Sequence, residues 1–306
     1  MRGEGCGDRQ NGRAMNSTDD NFRDPLSRVH GYRDLIVQLD GTAEDEIRLA
    51  HAESIASLFH SHLTGVYTRL MPDVAFYPSP AGGSARIDLE KQAREESAIA
   101  RRQLIERFGR IGGASHLRAI EAMSSDLHRL VATQARLADL FVTSCPTGAH
   151  GDHAGAIIDT ALFQGGRGVY LAPRGVGPRE AIRTIAIGWI DTREAARAVT
   201  EAMPLLRLAA SAHLICVAGS GDAAARQAAL SDVAAHLERH GVPVNAHVIT
   251  ADSGVAATAI LDEAHRVSAD LIVTGAFGHS RLHEWILGGA TRNLLAKSDV
   301  PLLMAH

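Results

Sequence analysis

Cysteine is scarce in this sequence. Only Cys6, Cys145 and Cys216 occur, too few and too scattered for a disulfide framework or a closed zinc site. That usage fits a chain kept in the reducing cytosol. Nowhere do about 18 apolar residues run uninterrupted, so a membrane-spanning helix is not expected, and the first 30 residues hold no apolar segment of the secretory kind. An excess of one charge is also missing: 31 Lys and Arg stand against 35 Asp and Glu, a formal net charge of −4. With no basic run able to neutralise a string of phosphates, nucleic acid is not an expected partner. A nucleophile elbow is absent, as is any Ser, His and Asp order of the hydrolase type.

What is present suits a globular protein. Hydrophobic residues make up 45% of the chain and charged residues 22%, enough for a real core. The length of 306 residues exceeds most single cores and points to two domains. An internal repeat then organises the chain. DLIVQLDGTAEDEIRLAHAESIASLFHS from Asp34 lies without gaps on TIAIGWIDTREAARAVTEAMPLLRLAAS from Thr184, an offset of 150 positions. Thr42 meets Thr192, Glu44 meets Glu194 and Leu58 meets Leu208. ADLFVTS from Ala138 matches ADLIVTG from Ala269, and GVYLAP near Gly168 answers PLLMAH near Pro301.

Each copy opens with a β-branched run, an amphipathic helix and a second apolar run, which is a β-α-β unit. In the second copy the pattern predicts a helix over Asp222–His240 stopped by Gly241, a strand VPVNAHVI, a helix from Ser253 to about Val267, the strand DLIVTG, a helix from about Gly289 to Lys297 and a last strand VPLLMA. Strands alternating with helices predict an α/β fold of two tandem, doubly wound parallel sheets. The expected layout is a disordered tail over 1–30, a first domain over 31–173, a linker over 174–180 rich in Pro and Gly, and a second domain over 181–306. Within the first domain a polar loop FYPSPAGGSARID precedes a long charged helix over Leu89–Phe108.

After the strand ending at Thr274 come Gly275, two residues, Gly278, nine residues, then Gly288 and Gly289. Glycines at a strand's carboxyl end let backbone N–H groups gather round an anion, and a helix starting near Gly289 adds its positive end. His279, Arg281 and Arg292 could add donors, and Thr291 could supply a hydroxyl. The same glycines could equally do no more than shape a turn. Gly-x-x-Gly, nine residues, then Gly, with a last strand opened by Val-Pro, closely resembles the signature of the universal stress protein family, and the duplicated β-α-β openings extend the resemblance over about Tyr32 to His306.

The resemblance implies Rossmann-like halves that form an intrachain pseudo-dimer, with Gly168–Ala172 and Pro301–Ala305 side by side and antiparallel. It also implies a cytoplasmic stress-response role and a small-molecule partner, ATP or AMP, with Mg²⁺ accompanying ATP. The implied ligand-binding residues are Val217, Gly275, Gly278, His279, Gly288, Gly289, Ala290, Thr291 and Asp191. Family members usually carry an Asp at the end of the first strand. The first copy has it as Asp40, whereas the second has Ile190 there and its acid one position on, at Asp191. Gly289 stands where nucleotide-binding members have Ser or Thr. The first copy is degenerate in its glycine loop, which reads Ser144-Cys145-Pro146-Thr147-Gly148, so no nucleotide is expected there. His150 and His153 lack further ligands for a metal, and Cys145 reads as a packing residue before a reactive thiol. A regulator without rapid catalysis is the favoured expectation, with a scaffold that has lost its ligand, or a slow ATPase, as alternatives.

Overall fold

The computed structural model describes residues 31–72, 83–146, 153–219, 221–276 and 289–306; the expected tail over 1–30 lies outside them. The repeated Ala-Asp-Leu explains how each half begins. Asp139 precedes β4 (Leu140–Ser144), and its carboxylate accepts the backbone N–H groups of Arg33 and Asp34 at 2.6 and 3.0 Å, fixing the start of β1 (Asp34–Leu39). Asp270 precedes β9 (Leu271–Gly275) and accepts those of Arg183 and Thr184 at 2.8 and 2.9 Å, fixing β6 (Thr184–Gly188) in the same way. One acid per half therefore aligns the two central strands by satisfying donors that no ladder reaches.

The remaining elements follow the predicted alternation. In the first half these are α1 (Glu44–Phe59), β2 (His62–Leu70), α2 (Gly83–Phe108), β3 (Ser115–Ala122), α3 (Ser124–Ala135), α4 (His153–Gly165) and β5 (Gly168–Ala172). In the second they are α5 (Arg193–Leu206), β7 (Ser211–Ala218), α6 (Ala223–Arg239), β8 (Val244–Thr250), α7 (Ala256–Arg266), α8 (Gly289–Lys297) and β10 (Leu302–Ala305). Helix α1 starts under three acids, Glu44, Asp45 and Glu46, which suit its positive end. Thr192 caps α5 by accepting the Ala195 N–H at 3.3 Å. Helix α2 begins six residues before the expected Leu89, taking in the end of the polar stretch expected as a loop, where Ala85 and Arg86 are good helix formers.

Ten strands make one sheet in the order β3-β2-β1-β4-β5-β10-β9-β6-β7-β8. Every neighbouring pair is parallel except β5 and β10, which run antiparallel with Leu171 opposite Leu302, Tyr170 opposite Leu303 and Val169 opposite Met304. That seam is the pairing expected of an intrachain pseudo-dimer, and all six side chains in it are buried. Helices cover both faces, as central strands that are mostly apolar and buried require. Leu49, Ile55, Phe108, Leu205 and Leu237 bring α1, α2, α5 and α6 onto one core. Leu127, Ile158, Leu261 and Leu294 bring α3, α4, α7 and α8 onto the other. The halves are also joined beside the seam: the Tyr32 hydroxyl donates to the Glu201 carbonyl at 2.7 Å, and the Gly168 N–H donates to the Glu201 carboxylate at 3.1 Å.

Candidate functional site

Within each half the strand order reverses at one place, between β1 and β4 and again between β6 and β9. Crevices that take ligands in open parallel sheets lie at the carboxyl ends of the strands at such a point. The two copies present matching strands there but differ in most of the side chains.

In the first half the crevice is filled by its own residues. Arg48, buried on α1, reaches over the end of β1. Its guanidinium donates to Gln38 Oε1 and to Asp40 Oδ1, both at 2.6 Å, and to the carboxylate of Asp45. The Gln38 amide donates to Thr68 Oγ1 at 2.8 Å, Thr143 donates back to Gln38 Oε1 at 3.0 Å, and Thr68 donates to the Leu39 carbonyl at 3.1 Å. Asp45 further accepts the N–H groups of Asp40 and Gly41 at 3.0 and 2.8 Å, tying down the turn after β1. Burial pushes the Asp45 carboxyl up to about 6 against the pull of Arg48. For Asp40 burial acts the same way, but the charge and hydrogen bonds of Arg48 and the bonds from Thr42 outweigh it and hold that carboxyl below the ordinary range. The acid that the resemblance implies is thus present at Asp40, but its charge is spent inside the protein. Ser144, where the glycine loop would start, is buried with its hydroxyl unpartnered among the described residues. Cys145 lies in the core, its thiol pushed up to about 12 by burial, which removes the thiolate needed for reactivity.

In the second half the strand registers put Gly188 where Gln38 stands, Val217 where Thr68 stands, Thr274 where Thr143 stands and Gly275 where Ser144 stands. Along the repeat, Ala195 replaces Asp45, Ala198 replaces Arg48 and Ile190 replaces Asp40. Apart from the threonine kept at Thr274, the polar plug has become glycine, alanine and aliphatic groups. Strand β7 also outruns β6: Trp189 N–H donates to the Ile215 carbonyl at 2.7 Å, and Val217, two residues on, turns its N–H and C=O to the same side, past the end of β6. A backbone donor and acceptor at that spot suit the edge of a planar base.

The other expected site residues fall as follows. Asp191 is exposed in the turn between β6 and α5, beside the exposed Ile190. Thr291 is buried in the first turn of α8, and the backbone of Gly289 and Ala290 opens that helix. Gly278, His279, Gly288 and Arg281 lie outside the described residues, as do Thr147 and His150. Gly275 has a structural reason of its own: a Cβ there would stand 2.6 Å from the Ala195 nitrogen and 2.7 Å from the Glu194 carbonyl carbon, because the first turn of α5 packs directly on the strand end. Gly188 similarly leaves room for Ile260, whose Cδ1 would be 3.0 Å from an added Cβ. No group of three or more His, Cys, Asp or Glu among the described residues could hold a metal ion. No helix of the described residues is long and apolar enough to cross a membrane. Sequence reasoning missed Arg48 and its network, although the signal was there: the repeat alignment sets Asp45 and Arg48 against two alanines.

These features define a class, tandem doubly wound α/β proteins with one switch point in each half. The comparisons narrow it. Residues 182–306 match the profile of the Universal stress protein family. The stress response protein NhaX of Bacillus subtilis (strain 168) is 45% identical over 51 residues, which is 17% of this chain and 31% of that relative, so the chain spans under a third of the curated relative it matches. A universal stress protein from Archaeoglobus fulgidus DSM 4304 shares the fold with a TM-score of 0.67 at 15% identity, over 89% of this chain and 95% of that one. A putative universal stress protein from Pseudomonas aeruginosa UCBPP-PA14 does so with a TM-score of 0.57 at 17% identity, over 90% and 94% of the two chains. By sequence, residues 182–306 match the universal stress protein family, and by fold the two halves together resemble structures of universal stress proteins.

Proposed function

We propose that this protein is a cytosolic, stress-linked regulator whose second half binds an adenine nucleotide reversibly and without rapid turnover, while its first half binds none. The observation that carries the reading is the contrast at the two switch points. Where the first half fills its crevice with Arg48, Gln38 and Thr68, the second has Ala198, Gly188 and Val217. The Val217 backbone would meet the base, Asp191 would lie near the sugar, and the strand end at Gly275 with the start of α8 would receive the phosphates, where N–H groups and the helix dipole favour negative charge. Any Mg²⁺ would arrive with the nucleotide. Such a set of backbone donors binds the ground state and gives no preference for a transition state, so the signal would be occupancy itself, acting through different affinity for two conformations.

A scaffold role without nucleotide is the second reading, and one observation favours it: the packing of α5 on Gly275 and of Ile260 on Gly188 accounts for both glycines with no ligand at all. Isothermal titration separates the two. ATP or AMP should give heat with the wild type and with Thr147→Val, and none with Gly278→Val. Silence from the wild type at millimolar ATP puts the scaffold first.

A further inference from the structure

At the mouth of the second crevice a cation stands where helix physics disfavours one. Arg193 is the first residue of α5, at the positive end of the helix dipole, whereas the first turn of α1 carries three acids and the repeat puts Ala43 opposite Arg193. Its side chain is 79% exposed, yet the guanidinium is held at two points: Nε donates to Glu194 Oε1 at 2.6 Å, and one terminal nitrogen lies 3.4 Å from His306 Nε2. The imidazole is itself fixed. His306 Nδ1 lies 3.1 Å from the Ala276 carbonyl, and the Phe163 ring packs edge-on with its centroid 4.5 Å from that of the imidazole. A carbonyl can only accept and a guanidinium can only donate, so the Nδ1–H tautomer satisfies both partners. Ala276 directly follows Gly275, and Gly275 lies against the first turn of α5, so the chain of contacts runs from the strand end to Arg193. The first half has none of this: Pro173 takes the place of His306 after β5, as the registers of β4 with β5 and of β9 with β10 show.

A fixed guanidinium with N–H groups to spare, beside a strand end suited to phosphate, is the geometry of an anion hook. We infer that Arg193 takes the outer phosphate of a nucleoside di- or triphosphate, with His306 as its positioning residue, so that the second half prefers a polyphosphate to a monophosphate. The inference rests on the nucleotide reading proposed above. Adenosine would meet the Val217 backbone and Asp191, AMP would add the strand end, and ATP would add Arg193.

The test is titration of ATP, AMP and adenosine into the full chain carrying Arg193→Gln, Arg193→Lys, His306→Ala or His306→Asn. Arg193→Gln should weaken ATP by about tenfold or more, the usual worth of one hydrogen bond to a charged group, and leave adenosine unchanged. Arg193→Lys should keep part of the loss from appearing. His306→Ala should fall between wild type and Arg193→Gln for ATP alone, while His306→Asn, which keeps a donor and an acceptor, should stay near wild type. Circular dichroism confirms that each variant is folded. Wild-type ATP affinity in folded Arg193→Gln overturns the hook and leaves the nucleotide reading standing, and so does an equal loss for ATP and adenosine. If all three compounds are silent in the wild type, the nucleotide reading itself fails and the hook goes with it.

Discussion

Arg48→Met replaces a buried guanidinium by an apolar chain of similar length and leaves Asp40 and Asp45 without their cation. In the native protein that guanidinium, whose side chain is 3% exposed, donates to Gln38, Asp40 and Asp45. Removing one member of a buried pair costs about 3–5 kcal/mol, because the other charge stays buried. For a cooperative unit of this size that is a fall in melting temperature of about 6–20 °C. Exposed Arg129, paired with Asp126 at 2.9 Å on the surface of α3, serves as the control, and Arg129→Ala should change stability by no more than about 0.5 kcal/mol. The loss in Arg48→Met should also depend on pH. Arg48 pulls both carboxyls down, so without it both folded-state values rise above the unfolded ones. The folded variant then takes up protons that the unfolded chain does not yet bind, and its deficit against wild type shrinks as pH falls from about 7.5 to 5. Urea unfolding at the two pH values measures this. A variant within about 1 kcal/mol of wild type, or a deficit equal at both pH values, refutes the reasoning.

Three further outcomes are expected. Gly275→Ala must push its Cβ into the backbone of α5 at Ala195, and overpacking of this kind should destabilise by about 1–3 kcal/mol in thermal unfolding, with or without nucleotide present. Asp270→Ala should cost about 1–3 kcal/mol by orphaning the N–H groups of Arg183 and Thr184, and Asp139→Ala should do the same for Arg33 and Asp34; urea midpoints of the two single variants and the double variant should add, since the sites share no partner. A phosphate-release assay with ATP should stay below about 1 per second, the low end of ordinary enzymes, and a faster rate would make this an enzyme.

Much of the architecture was legible because it is written in local pattern and in repetition. The offset of 150 positions aligned β1 with β6 and α1 with α5, Gly241 marked the end of α6, and the match of GVYLAP with PLLMAH pointed to the β5–β10 seam. What stayed hidden depends on groups brought together from far apart. Arg48 reads as an ordinary charged helix position until Gln38, itself held by Thr68 and Thr143 of the two neighbouring strands, is seen to accept from it. Gly275 reads as a ligand-cradling glycine until the first turn of α5 is seen to occupy the space its side chain would need. Arg193 and His306 are 113 positions apart, and only the antiparallel seam and the packing of α5 on β9 make them neighbours. Gly278, His279 and Gly288 lie outside the described residues.

The central claim is that one crevice is open to a nucleotide and its twin is closed by its own side chains. Photolabelling the intact chain with an 8-azido adenine nucleotide, followed by peptide mapping, tests it most directly. Label that ATP competes away should fall on the second half, at residues 188–191 and 215–219 around the ends of β6 and β7. Competable label at 38–42 or 66–70, on the ends of β1 and β2, would contradict the account.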